Sequence, residues 1–224
     1  MITFLEKKIV ISWIFKPVVF VVCLTPLALL AWNGFNGQLS ANPISDITNE
    51  TGIWTLRLIV ATLAVTPLRR ITKIHTLIRF RRMVGLFAFF YGCLHFTTYI
   101  WLDQFFDWHS ILRDIPKRPF ITIGFASFIL MIPLAVTSTK KMIRRLKGRK
   151  WNLLHRLIYV TAIGGVIHYL WLVKADTQRP ITYGIIIAVL FAFRLWIYFD
   201  SRFSSSRVLP ERKFQLSKQE IESV

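Results

Sequence analysis

The feature that most constrains this chain is a series of apolar runs, each near the length of a bilayer-spanning helix, separated by segments dense in lysine and arginine. A hydrocarbon core of about 30 Å takes about 20 helical residues to cross. Six runs approach that length: Ile9 to Trp32, Ile53 to Leu68, Met83 to Leu102, Phe120 to Val136, Leu153 to Val173 and Ile181 to Phe199. They predict an all-α integral membrane protein, a six-transmembrane-helix bundle over residues 1–200 with a polar tail over 201–224. A hydrophobic fraction of 54% over 224 residues is too apolar for a soluble domain of that size and fits a chain immersed in lipid.

The net charge of +18 would suit a nucleic-acid partner if it covered a soluble surface. Instead the basic residues cluster between the apolar runs, which argues for topology and against nucleic acid. Arg69, Arg70, Lys73, Arg79, Arg81 and Arg82 lie between runs two and three; Lys140, Lys141, Arg144, Arg145, Lys147, Arg149 and Lys150 lie between runs four and five. By the positive-inside rule both loops are cytoplasmic. The segment Asn33 to Gly52 has no lysine or arginine, and the next outer loop sets Asp103, Asp107 and Asp114 against Arg113, Lys117 and Arg118. With Lys7 and Lys8 at one end and a basic tail at the other, both termini are expected in the cytoplasm. Lys7 and Lys8 before an apolar stretch also resemble a secretory signal, but no clear small-residue cleavage site follows. The two cysteines, Cys23 and Cys93, fall inside apolar runs and support neither a disulfide framework nor a cysteine metal site.

Of the five histidines, His75 and His109 fall in loops, where a solvated imidazole needs no special explanation. His95, His155 and His168 lie in or at the edge of apolar spans, where an ionisable side chain is costly and marks a functional pathway. A weak internal repeat relates two of them. Leu63-Ala64-Val65-Thr66, Arg69-Arg70 and Gly92-Cys93-Leu94-His95-Phe96 match Leu134-Ala135-Val136-Thr137, Lys140-Lys141 and Gly165-Val166-Ile167-His168-Tyr169. Thr66 precedes His95 by 29 positions and Thr137 precedes His168 by 31, so two hairpins running the same way bring the histidines to similar depth.

Two imidazoles from neighbouring helices at one depth suit the two axial positions of a haem. Gly92, three residues before His95, and Gly164 and Gly165, four and three before His168, would let a flat ring pack against backbone, although small-residue helix packing explains them as well. His155 lies 13 residues before His168, a helical rise of about 20 Å. Thirteen steps of about 100° leave the two side chains off a common face unless the helix is distorted. The corresponding position before His95 is Arg82. His155 is thus left open between a one-sided haem, a flavin and a quinone. Arg57 is a charge inside the second span: a haem propionate would suit its guanidinium, and snorkelling to the interface is the alternative. Trp32, Trp54, Trp101, Trp108, Trp151 and Trp171 near span ends read as interfacial anchors.

With both axial positions filled, iron has no open site for substrate, and outer-sphere electron transfer is the natural activity. No G-x-G-x-x-G fingerprint is present. The strings LAVTPLRR (63–70), RRMVGLFAFFYGCLHF (81–96), LAVTST (134–139), LHRLIY (154–159) and IHYLW (167–171) together resemble the MsrQ (YedZ) family, within the ferric-reductase-like transmembrane group. The resemblance covers most of residues 50–200. It implies a bacterial inner-membrane protein with haem b and FMN, drawing electrons from the quinone pool and passing them to a periplasmic molybdopterin-containing methionine sulfoxide reductase. The family's haem-linked histidines map onto His95, His155 and His168, whereas the wider ferric reductases use four. Two other activities remain open from sequence: a self-contained ferric reductase, and a cofactor-free metal or ion transporter whose histidines line an ion path.

Overall fold

Every apolar run forms helix in the computed structural model, which describes the backbone of residues 4–173 and 175–222 and side chains from 15 to 200 except 174. The order is α1 (Phe4–Phe35), α2 (Pro43–Thr72), α3 (Ile78–Thr98), α4 (Trp108–Lys117), α5 (Pro119–Val136), α6 (Lys140–Leu154), α7 (Leu157–Leu172) and α8 (Gln178–Glu222). A π-helical turn, Tyr99–Asp103, extends α3. Five helices are long and apolar enough to cross a membrane, and six do if α6 and α7, bent by 42° at their junction, form one span. The chain is therefore an all-α, multi-pass membrane protein. The side chains of Lys7, Lys8 and the 201–224 tail lie outside the described residues.

Local chemistry explains where these helices begin. Asn42 accepts from the Ser45 amide and Pro43 opens α2 with its φ already helical. Asp107 caps α4 by accepting from the amides of His109 and Ser110, and the Ser110 hydroxyl, which also donates to it, together with these amides holds its carboxyl below the usual carboxylate range. Just before it, Phe105 (φ 47°) and Phe106 (φ 61°) take left-handed backbone to turn the chain sharply. Thr139 caps α6 through Met142. In α6 the kink at Lys147 (φ 57°, ψ 150°) breaks an otherwise helical basic segment.

The chain divides into two units, Met1–Ile187 and Ala188–Val224. In the first, α2 pairs most extensively with α3 and α5 with α7, and α3–α5 and α2–α7 contacts join the two pairs. Leu56, Ile59 and Leu63 of α2, Phe87, Ala88 and Tyr91 of α3, Met131 and Leu134 of α5 and Ala162 of α7 fill the interior. Ala88 and Ala162 have almost no exposed surface, as expected where small residues let helices approach closely. Apolar side chains such as Val22, Leu29 and Ile185 instead face outward, the arrangement a lipid solvent allows. The second unit is the remainder of α8, helical through Glu222 and carrying the outward-facing Val189, Leu195 and Trp196.

Pro26 has no amide to donate inside α1. Beside it the Tyr91 hydroxyl donates to the Cys23 carbonyl at 2.9 Å and accepts from the Leu27 amide at 3.1 Å. Tyr91 is 1% exposed and one helical turn before His95, so this bridge ties the helix that carries His95 to α1.

Candidate functional site: a facing pair of histidines

The first turns of α2 and α5 meet the last turns of α3 and α7 at the end of the bundle remote from the two basic connections. There His95 and His168 face each other with ring centroids 6.0 Å apart and planes inclined by 75°. His95 Nδ1 lies 2.9 Å from the Thr48 carbonyl oxygen, and His168 Nδ1 lies 2.7 Å from that of Phe120. A carbonyl oxygen only accepts, so each Nδ1 carries the proton and each Nε2 keeps a free lone pair. This is the arrangement that orients an imidazole for metal binding. Metal–imidazole bonds of about 2.0 Å on either side, plus the distance from each nitrogen to its ring centre, make a centroid separation near that observed.

Among the described residues no group of three or more His, Cys, Asp or Glu could hold a metal ion. Two protein ligands suit a metal whose remaining positions come from a macrocycle.

The internal repeat extends into this geometry. Thr48 precedes His95 by 47 residues and Phe120 precedes His168 by 48; four residues after each carbonyl acceptor stands a glycine, Gly52 or Gly124. A Cβ on Gly52 would lie 3.0 Å from His95 Nδ1 and Cε1, and one on Gly124 2.6 Å from His168 Nδ1 and 2.8 Å from Cε1. The two glycines singled out on the histidines' own helices do not touch the imidazoles. A Cβ on Gly92 would make ordinary contacts with Phe128, Thr55 and Met131, and one on Gly165 with Leu56. Gly52 and Gly124 were legible in principle, as glycines 43 and 44 positions before the two histidines.

His155 sits at the other end of the α5–α7 hairpin, at the α6–α7 break. Its ring stacks on Trp151 at 3.9 Å, and its Nε2 lies 3.2 Å from the Thr137 hydroxyl. Because that hydroxyl donates to the Pro133 carbonyl at 2.6 Å, it accepts from His155 Nε2–H, leaving Nδ1 as the free nitrogen. The break also removes the premise of a single continuous helix from His155 to His168, so the expected mismatch of face does not apply. Arg57 is exposed: its Nε donates to the Tyr183 hydroxyl at 3.1 Å and its guanidinium lies 4.7 Å from the Trp54 ring centre. Its contacts run to those residues, not to the paired imidazoles.

The helical membrane bundle is that of a ferric-reductase-like transmembrane protein: the model of the family described as "Ferric reductase like transmembrane component" matches residues 51–166. More narrowly, a curated relative from Herminiimonas arsenicoxydans, the protein-methionine-sulfoxide reductase heme-binding subunit MsrQ, is 51% identical over 84% of this chain and 87% of its own length. Proteins of the same name from Caulobacter vibrioides (48% identity, 86% of this chain and 90% of theirs) and Xanthomonas campestris (44%, 91% and 95%) agree. The chain belongs to the MsrQ family. No solved structure matches it.

Proposed function

We propose that this chain is the haem-binding electron-transfer subunit of a methionine sulfoxide reductase system in the bacterial inner membrane, with His95 and His168 as the axial ligands of haem b. The single observation that carries the proposal is the facing imidazole pair whose Nδ1 atoms are both tied to backbone carbonyls. The names of the curated relatives support the same reading.

Haem bound there supplies reversible one-electron transfer with no open coordination position. The protein's own contribution is orientation. The carbonyls of Thr48 and Phe120 fix each tautomer, and the glycines that follow them leave space for the rings. The pair lies at the end of the bundle that carries few basic residues, which the positive-inside rule assigns to the periplasm. That position suits delivery to a periplasmic molybdopterin-containing methionine sulfoxide reductase. Electrons enter from the quinone pool, with FMN as a further cofactor by family resemblance. His155, held by Trp151 and Thr137 near the basic end, is the candidate residue for the entry side. Arg57, with no carboxylate paired to it among the described residues, is the candidate counter-ion for a propionate.

Reconstitution tests the whole proposal. Purified protein in liposomes, given a reduced quinone, should reduce the purified periplasmic enzyme and sustain turnover of a methionine sulfoxide peptide. Absence of transfer with haem-loaded protein and an enzyme active with an artificial donor would overturn it.

A further inference from the structure

Each imidazole is gripped from outside its own helix, and the grip has the same construction twice. A carbonyl near the start of α2 or α5 accepts from Nδ1, and the residue one turn later in that helix, beneath the ring, is glycine. Any other side chain at that place would have its Cβ against the ring atoms. At Gly124 the intrusion would fall on Nδ1 itself, at 2.6 Å, and a real Cβ does not approach so closely. The ring would have to rotate or withdraw, and either movement breaks the bond to Phe120. At Gly52 the approach of 3.0 Å is marginal, so a small displacement of the His95 ring suffices. Backbone carbonyls carry no residue-type requirement, which is why Thr48 and Phe120 differ while the residue four positions later is glycine in both halves.

We propose that Gly52 and Gly124 are positioning residues whose missing side chains let the two imidazoles reach neighbouring backbone carbonyls and so keep their planes close to perpendicular. The inference rests on the haem proposal above, but it concerns what sets the ligand orientation. Near-perpendicular axial imidazoles leave the iron d orbitals nearly degenerate, and ferric low-spin haem then gives a strongly anisotropic electron paramagnetic resonance signal with an unusually high maximum g value. Rings turned toward a common plane lower that value.

The test uses full-length protein purified with haem, comparing wild type with G52A, G124A, G34A and G184A by haem content, ferric resonance spectrum and redox midpoint. Wild type should show the high-g signal. G34A and G184A should retain it, since their Cβ atoms meet only ordinary contacts at 3.5 Å or more. G52A should keep its haem with a shifted maximum g value, and G124A should lose the high-g signal together with most of its haem. If G124A fails to assemble, G52A decides by whether its g value moves. A haem-loaded wild type whose G124A and G52A variants keep its g value and occupancy would overturn the cradle. A shift of equal size in G34A or G184A would overturn it too. Wild-type protein with no Soret band would instead overturn the haem proposal beneath it.

Discussion

Replacing Tyr91 with phenylalanine removes one oxygen atom and two hydrogen bonds, from the Leu27 amide and to the Cys23 carbonyl, without changing the ring's packing. In water each such bond contributes about 0.5–1.5 kcal/mol net. Interhelical hydrogen bonds in membranes average about 0.6 kcal/mol. Two bonds at a site where the phenol is 1% exposed therefore predict a loss of about 1–2 kcal/mol, roughly a 5–30-fold change in the folding equilibrium. The lower end applies if the Leu27 amide and the Cys23 carbonyl satisfy each other within α1 once the hydroxyl is gone. Because Tyr91 is one turn before His95, the loosened α3 should also release haem more readily. Unfolding of the haem-loaded protein by SDS titration in mixed micelles, followed by far-ultraviolet circular dichroism and Soret absorbance, measures both effects. A Y91F midpoint matching wild type to within about 0.3 kcal/mol would refute the claim that this hydroxyl ties α3 to α1.

Thr137→Val takes away the acceptor for His155 Nε2–H and should cost about 1 kcal/mol, recovered in Thr137→Ser, while the haem α band stays unchanged because the paired imidazoles lie at the other end of the hairpin. A shifted α band in T137V would tie His155 to the same haem. Arg57→Gln should lower the haem midpoint in a potentiometric titration and Arg57→Lys should largely keep it, if the guanidinium answers a propionate; equal midpoints in all three proteins would leave Arg57 as an interfacial anchor. Asp107→Ala should speed hydrogen exchange of the His109 and Ser110 amides, with no change in the haem spectrum. Since the Asp107 carboxyl is held below its ordinary range, its contribution is full above the usual carboxylate range. It is lost as pH falls through the depressed value, so acid should loosen α4 in wild type and not in D107A.

The spans were legible because hydropathy is a property of residue types summed along the chain, and the runs from Ile53, Met83, Phe120 and Ile181 coincide with helices. The pairing of His95 with His168 was legible for a different reason, a repeat in which both hairpins keep one spacing. What holds the rings was not. A carbonyl acceptor such as that of Thr48 or Phe120 leaves no trace in residue identity, and the glycines that lie against the imidazole rings stand on the facing helices α2 and α5, while attention to i−3 and i−4 neighbours leads to Gly92, Gly164 and Gly165. The break between Leu154 and Leu157 was equally hidden: no proline or glycine marks it, and the stacking of His155 on Trp151 and its bond to Thr137 are tertiary contacts. Short α4 escaped notice because a ten-residue amphipathic helix in an outer loop is neither long nor apolar enough to stand out beside the spans.

The central claim is that one haem sits between His95 and His168. The most direct measurement is the visible spectrum of detergent-purified, haem-replete protein, oxidised and then reduced, for wild type, His95→Ala and His168→Ala. The account predicts a Soret band with sharp reduced α and β bands in wild type, and loss of that low-spin spectrum in both variants. A colourless wild type, or a His168→Ala protein with the wild-type spectrum, would contradict it.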